Sequence, residues 1–248
     1  MDNNHKIYVY YMIKYFKSPY RFVIMRHGES LWNKHSVFTG WSDIPLTQKG
    51  IYEAIKCGKI LKESNIIPDK IFTSSLIRSI HSGMLVNDQL DDKIEKSTSW
   101  RLNEKHYGSL NGVKRSYLRE MYGKEFTENV RDSYTMLPPL VNNVSADREH
   151  FPLYMNDYIS DKLISGESKE MVFKRCLPYW NNTLFPYILS RKMPLIVTHK
   201  HTVRVLMKHL LDISDENFIN YKFDDKEMLC VSINNKGKAV YTKKIMIE

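Results

Sequence analysis

Arg26, His27, Gly28, Glu29 and Ser30 run together directly after a short apolar stretch, residues 21–25 (RFVIM). An imidazole with an ordinary pKa of about 6.5 is a competent nucleophile near neutral pH. The neighbouring Arg26 suits the charge of a phosphoryl group, and Gly28 permits close backbone approach. Asn33, Thr39 and Gly40 lie shortly downstream. Arg78 stands near the start of a helical stretch after Thr73-Ser74-Ser75, where free N–H groups and the helix dipole favour phosphate. Glu104 follows a strand candidate and can act as general acid and base. His199, a second imidazole, directly follows the apolar run Pro194–Thr198. Phosphoryl transfer needs such a set: a nucleophile, cations around the phosphoryl oxygens, and an acid for the leaving oxygen. An opposite charge at ~4 Å contributes on the order of 4 kcal/mol at an effective dielectric of 20. Two arginines and a second histidine can therefore hold such a group.

The elements that position these residues alternate. Residues 21–25, 70–73 and 194–198 read as buried strands, and residues 93–97 as a weaker one. Thr47 has the type and position of an N-cap for a helix reaching about residue 63, with Ile51, Ala54, Ile55, Gly58 and Leu61 at helical spacing. Further helices are predicted over 76–89, over 113–122, over 168–189 kinked or divided by Pro178 and Pro186, and after His199 to about 211. Residues 228–233 and 240–247, joined by Asn-Asn-Lys-Gly, read as a terminal hairpin. Strands alternating with helices imply an α/β fold whose mainly parallel sheet is covered on both faces. Ligands of such sheets sit at the carboxyl ends of the strands, where both His27 and His199 fall. Residues 135–167, with Pro138, Pro139 and Pro152, are predicted to be irregular: a lid or a surface insertion.

The 248 residues carry a net charge of +9, from 37 basic and 28 acidic side chains, and are 42% apolar. That composition supports a buried core and argues against global disorder. The basic residues are scattered, with no nucleic-acid-binding signature, so the charge reads as a solvated surface or an anionic-substrate pocket. Cys57, Cys176 and Cys230 form no CxxC, which fits a reducing compartment and core thiols. No stretch approaches the roughly 20 apolar residues of a membrane span. The apolar residues 7–16 are broken by Lys14 and lack a cleavage pattern. The expectation is a cytoplasmic protein without nucleic-acid or membrane partners, with an N-terminal extension over 1–20 and one domain over 21–248.

RHGES-x-WN followed by FTGW-x-D-x-PL-x-x-KG resembles the opening signature of the histidine phosphatase superfamily, in its phosphoglycerate mutase branch. The similarity continues through TSSLIRSIH and WRLNEKHYGSLNG, and returns at LPYWNNTLFP and VTHKHTVRVLMKHL. The resemblance implies a three-layer α/β/α sandwich. It implies that His27 is phosphorylated, that Arg26, Arg78 and His199 clamp the phosphoryl group, and that Glu104 gives and takes the proton. Ser30, Asn33, Thr39, Gly40 and Tyr107 are expected at the substrate, as are Arg115, Arg131, Lys200 and His201. His81, His106 and His209 are read as structural or exposed. A metal held by His199, His201 and Glu104 is not expected, because the partners in RHGE favour phosphate.

The sequence also departs from the branch. Lys200-His201 stands where the family has Gly-Asn, and Arg131-Asp132 where it has two arginines that grip a carboxylate. An aspartate beside an anionic substrate is expected to weaken its binding. Arg115 replaces a lysine, keeping the charge and changing the geometry. The family's Pro-Thr-Gly segment has no counterpart around 221–227, and its basic C-terminal tail none before Glu248, which bears on water exclusion. The leading expectation is interconversion of 3- and 2-phosphoglycerate primed by 2,3-bisphosphoglycerate, by a homodimer or homotetramer. The alternatives are a phosphatase of another phosphorylated small molecule or phosphoprotein, and a catalytically weak phosphate-binding protein. Water reaching a phosphorylated His27 separates mutase from phosphatase.

Overall fold

The computed structural model describes residues 15–90, 93–141 and 165–247. Most of the expected N-terminal extension, and residues 142–164 of the stretch predicted to be irregular, lie outside the described residues. Six strands, β1 (Arg21–Arg26), β2 (Lys70–Thr73), β3 (Lys96–Thr98), β4 (Pro194–Thr198), β5 (Glu227–Ile233) and β6 (Ala239–Met246), form one sheet in the order β3-β2-β4-β1-β5-β6. Pairings from β3 through β1 are parallel, and those of β1 with β5 and β5 with β6 are antiparallel. The mainly parallel sheet and terminal hairpin agree with the sequence pattern.

Side-chain alternation divides the core into two layers. Phe22 and Ile24 of β1 face one way, into a cluster with Trp180, Val203, Leu206 and Leu210. Val23 and Met25 face the other way, against Cys57, Leu61 and Val86. The first side is covered by α5 (Lys169–Tyr179), α6 (Phe185–Leu189) and α7 (Lys200–Leu210). The second is covered by α2 (Gln48–Glu63) and α3 (Ile77–Asn87). A short α1 (Leu31–Lys34) and a long α4 (Arg115–Asp132) flank the site. Phe16, within the expected extension, is buried in the second cluster.

Two details correct the sequence reading. The edge strand β3 spans Lys96–Thr98 rather than 93–97, and its partly exposed residues give little apolar signal. The helix predicted over 113–122 continues to Asp132 across a break at Gly123 (φ 82°). Of its residues only Leu118, Thr127 and Val130 are buried, too few for a clear amphipathic stripe. The stretch over 168–189 is helical and divided between its two prolines, as expected, by a π-helical turn at Trp180–Leu184 between α5 and α6. The widened turn relieves the missing donor and the ring clash that a proline brings to a helix.

Candidate active site

The register of the central strands brings the two key histidines together. β1 and β4 are parallel with Arg26 opposite Thr198. The next residue of each strand, His27 and His199, therefore leaves the sheet at the same end. The His27 N–H donates to the Thr198 carbonyl at 2.9 Å. The two rings lie edge to face with centroids 4.8 Å apart.

His27 Nδ1 is 2.6 Å from the carbonyl of Gly28. A proton on Nδ1 satisfies that contact and leaves the Nε2 lone pair facing the cavity, 3.3 Å from Arg78 Nε, which donates to it. Burial, then Arg26 and Arg78, hold the His27 pKa well below its ordinary value. The ring is thus neutral, as a nucleophile must be. Gly28 is required by contact: a Cβ there would lie 2.1 Å from the Gly50 carbonyl oxygen, in the first turn of α2.

Arg78 is buried, and its terminal nitrogens donate to the Ser42 and Gly40 carbonyls, both at 2.8 Å. Gly40 has φ +50°, and a Cβ there would meet the Asn111 side chain at 2.2 Å. Arg26 donates through Nη2 to Asn33 Oδ1 at 2.7 Å, and its Nη1 is 3.5 Å from Asp225. His199 has Nε2 2.7 Å from Ser74 Oγ, and burial followed by Arg78 keeps its pKa low.

Glu104 reaches the same cavity. Burial raises its pKa, against the pull of the Lys105 N–H at 2.8 Å and of nearby arginines. A carboxyl raised toward neutrality is suited to donating a proton. Its main-chain carbonyl accepts from Trp41 Nε1 at 2.6 Å and from Arg175 Nη2 at 2.8 Å. Arg175 is in turn paired with the buried Glu167 at 2.7 Å. Neither of these two was anticipated from sequence, because each touches the site only through Glu104 and its neighbours.

The cavity measures about 260 Å³, and its wall includes Arg26, His27, Asn33, Thr39, Gly40, Arg78, Glu104, Tyr107, Arg115, Arg131, Lys200 and His201. His199 and Ser30 do not line it. His199 stands directly behind His27. Ser30 caps α1, and its hydroxyl donates to Asn33 Oδ1 at 2.9 Å, so it orients Asn33 rather than facing a substrate. Glu29, Lys49, Glu53, Asp225 and Lys226 complete the polar wall; Glu29 and Lys49 fall inside the quoted motifs with no role assigned there, and the other three had no signal in the sequence pattern. Seven lysine or arginine side chains reach the wall against four carboxylates. Arg115 and Arg131 are close enough for Arg131 to depress the Arg115 pKa, second to burial. Like charges held together in this way favour an anion between them.

Asp132 departs from expectation most clearly. It does not line the cavity but turns into the protein, 2.9 Å from Arg204 Nη1 and 3.6 Å from Lys169 Nζ. The aspartate therefore pairs with Arg204 inside the protein and does not face the cavity. Burial, then Arg204, lower the Lys169 pKa to about 6, against the upward pull of Asp132. Among the described residues, no group of three or more His, Cys, Asp or Glu is placed to hold a metal ion.

Residues 22–245 match the family profile of the histidine phosphatase superfamily, branch 1. The chain belongs to the histidine phosphatase superfamily. Among curated members of that superfamily, a 2,3-bisphosphoglycerate-dependent phosphoglycerate mutase of Parabacteroides distasonis is 37% identical over 235 residues, covering 90% of this chain and 94% of the relative. A protein of the same description from Bacteroides fragilis is 41% identical over 203 residues, covering 80% and 81%. In fold, a mycobacterial glucosyl-3-phosphoglycerate phosphatase aligns with a TM-score of 0.66 at 19% identity, over 86% of this chain and 92% of that one. The histidine phosphatase fold accounts for the α/β/α layering described above.

Proposed function

We propose that this chain is a phosphoglycerate mutase that interconverts 3- and 2-phosphoglycerate through a phosphohistidine. The observation that carries the reading is His27 Nε2 facing a cavity shared with Arg78 and Glu104. The 37% and 41% identities to curated mutases support the substrate.

His27 Nε2 attacks the phosphorus of the bound ester. The N–P bond forms as the P–O bond breaks, and the leaving oxygen takes the proton of the Glu104 carboxyl. Nδ1 keeps its proton on the Gly28 carbonyl and steadies the charged ring. Arg26 and Arg78 flank the transferring group, where fixed charge stabilises the transition state, and His199 packs against the His27 ring. In return, Glu104 takes the proton of the other hydroxyl as that oxygen attacks phosphorus, and His27 is released. The seven cationic side chains on the wall, among them Arg26, Arg78, Arg115 and Arg131, fit a ligand with two phosphates and a carboxylate. When bound, 2,3-bisphosphoglycerate supplies the phosphoryl group that primes His27. We read the reaction as a glycolytic step in the cytoplasm. The free, buried Cys57, Cys176 and Cys230 support a reducing compartment, and no helix among the described residues is long and apolar enough to cross a membrane.

A phosphorus NMR time course with 3-phosphoglycerate and catalytic 2,3-bisphosphoglycerate tests this. Wild type is expected to form 2-phosphoglycerate and His27→Ala none. Accumulating inorganic phosphate instead would identify a phosphatase, because the two activities share the phosphohistidine and differ in water access.

A further inference from the structure

Lys200 is the first residue of α7 and has no acidic residue in the first turn with it. A cation there opposes the positive end of the helix dipole, so the helix itself is not what favours a lysine. Its side chain reaches the cavity wall, and Nζ lies 3.1 Å from Asp225 Oδ1. The other oxygen of that carboxylate is 3.5 Å from Arg26 Nη1. Asp225 thus bridges two cavity cations, and its side chain is 45% exposed. A ligand's carboxylate placed in that seat would meet the same two charges.

Arg26 does not depend on Asp225 for its place, since its Nη2 is held by Asn33 at 2.7 Å. The seat therefore survives displacement of Asp225. Arg26, Lys200 and Asp225 line the same cavity as His27, so a small acid that carries both a phosphate and a carboxylate can meet the seat and His27 together.

We propose that Lys200 is a specificity-determining residue for small phosphorylated carboxylic acids, and that Asp225 holds its seat in the free protein and yields it to the ligand's carboxylate. The inference rests on the phosphoryl-transfer reading of His27. Arg115 and Arg131 share the cavity and their charges are coupled to Asp225, so Lys200 is the residue that sets this seat apart and the one the test varies.

The test is calorimetric binding of 3-phosphoglycerate and glycerol 3-phosphate, which carries an alcohol in place of the carboxylate, to the full unphosphorylated chain. Wild type is expected to prefer 3-phosphoglycerate by at least about tenfold. Lys200→Met is expected to remove about tenfold of that preference while changing glycerol 3-phosphate affinity less than threefold. Lys200→Arg, which restores the charge, is expected to recover most of it. Asp225→Asn is expected to tighten 3-phosphoglycerate binding about threefold or more, because the competing anion is gone. Equal losses for both ligands in Lys200→Met, or weaker binding of both in Asp225→Asn, overturn the proposal and make the pair a structural brace. If wild type binds both ligands equally, the inference alone fails; if it binds neither, the phosphoryl-transfer reading fails with it.

Discussion

Arg78 Nε lies 3.3 Å from His27 Nε2, and the rest of the guanidinium is fixed by two carbonyls at 2.8 Å. The cation is therefore in place before any ligand arrives, so little reorganisation accompanies the reaction. Its two anchors, Ser42 and Gly40, belong to the loop between α1 and α2, which ties that loop to His27.

Arg78→Ala is expected to slow phosphorylation of His27 by about 100- to 1000-fold, as for other preorganised charge stabilisers. A similar loss is expected for His199→Ala, which removes the ring that packs against His27. Rapid-quench measurement of phosphohistidine checks both, and a loss under threefold would remove the clamp role. Arg78→Ala should also lower stability, since the Gly40 and Ser42 carbonyls lose their donor.

The pH dependence has a definite sign. His27, His199 and His201 all have folded pKa values well below the ordinary 6.5. Between the folded and unfolded values the unfolded chain binds more protons. Their contribution is full above about pH 6.5 and is lost as pH falls toward the folded values. Urea midpoints should therefore drop between pH 7 and pH 5.5. The His27 ring proton, followed by NMR, should show no titration near 6.5; a normal titration there would mean the ring is not desolvated as described.

Glu104→Gln should separate chemistry from binding. With a phosphoglycerate, whose leaving oxygen needs a proton, the variant is expected to lose about 100- to 10,000-fold in rate. With p-nitrophenyl phosphate, whose leaving group departs as the anion, His27 phosphorylation should fall far less. Equal losses on both substrates would place Glu104 in binding rather than proton transfer.

Asp132 is predicted to matter for stability. Removing it in Asp132→Ala leaves Arg204 and the buried Lys169 facing each other. Its side chain is 23% exposed, so the expected cost is about 2–3 kcal/mol, below that of a fully buried pair. Thermal unfolding should fall by roughly 5–10 °C. Asp132→Arg should be worse, with no gain in mutase activity; increased activity would show that the side chain reaches the substrate after all.

What the sequence determined by itself was the central cluster of the proposed site. His27 and His199 each follow a short apolar strand, Arg78 sits in the first turn of its helix, and Glu104 follows an edge strand. In a parallel α/β sheet, residues just past strand ends converge on one edge, so local patterns were enough to gather them. Tertiary structure alone decided the surroundings. Asp225 arrives beside Arg26 because β5 runs antiparallel to β1, with Met228 opposite Met25, which places the loop before β5 at the catalytic end. Asp132 turns toward Arg204, a partner 72 positions away, and Arg175 grips the carbonyl of Glu104 across 71. Whether a charged side chain faces a ligand or a buried partner depends on strand order and helix packing, which bring distant residues into contact. A motif shows that a charge is present; the fold decides what neutralises it.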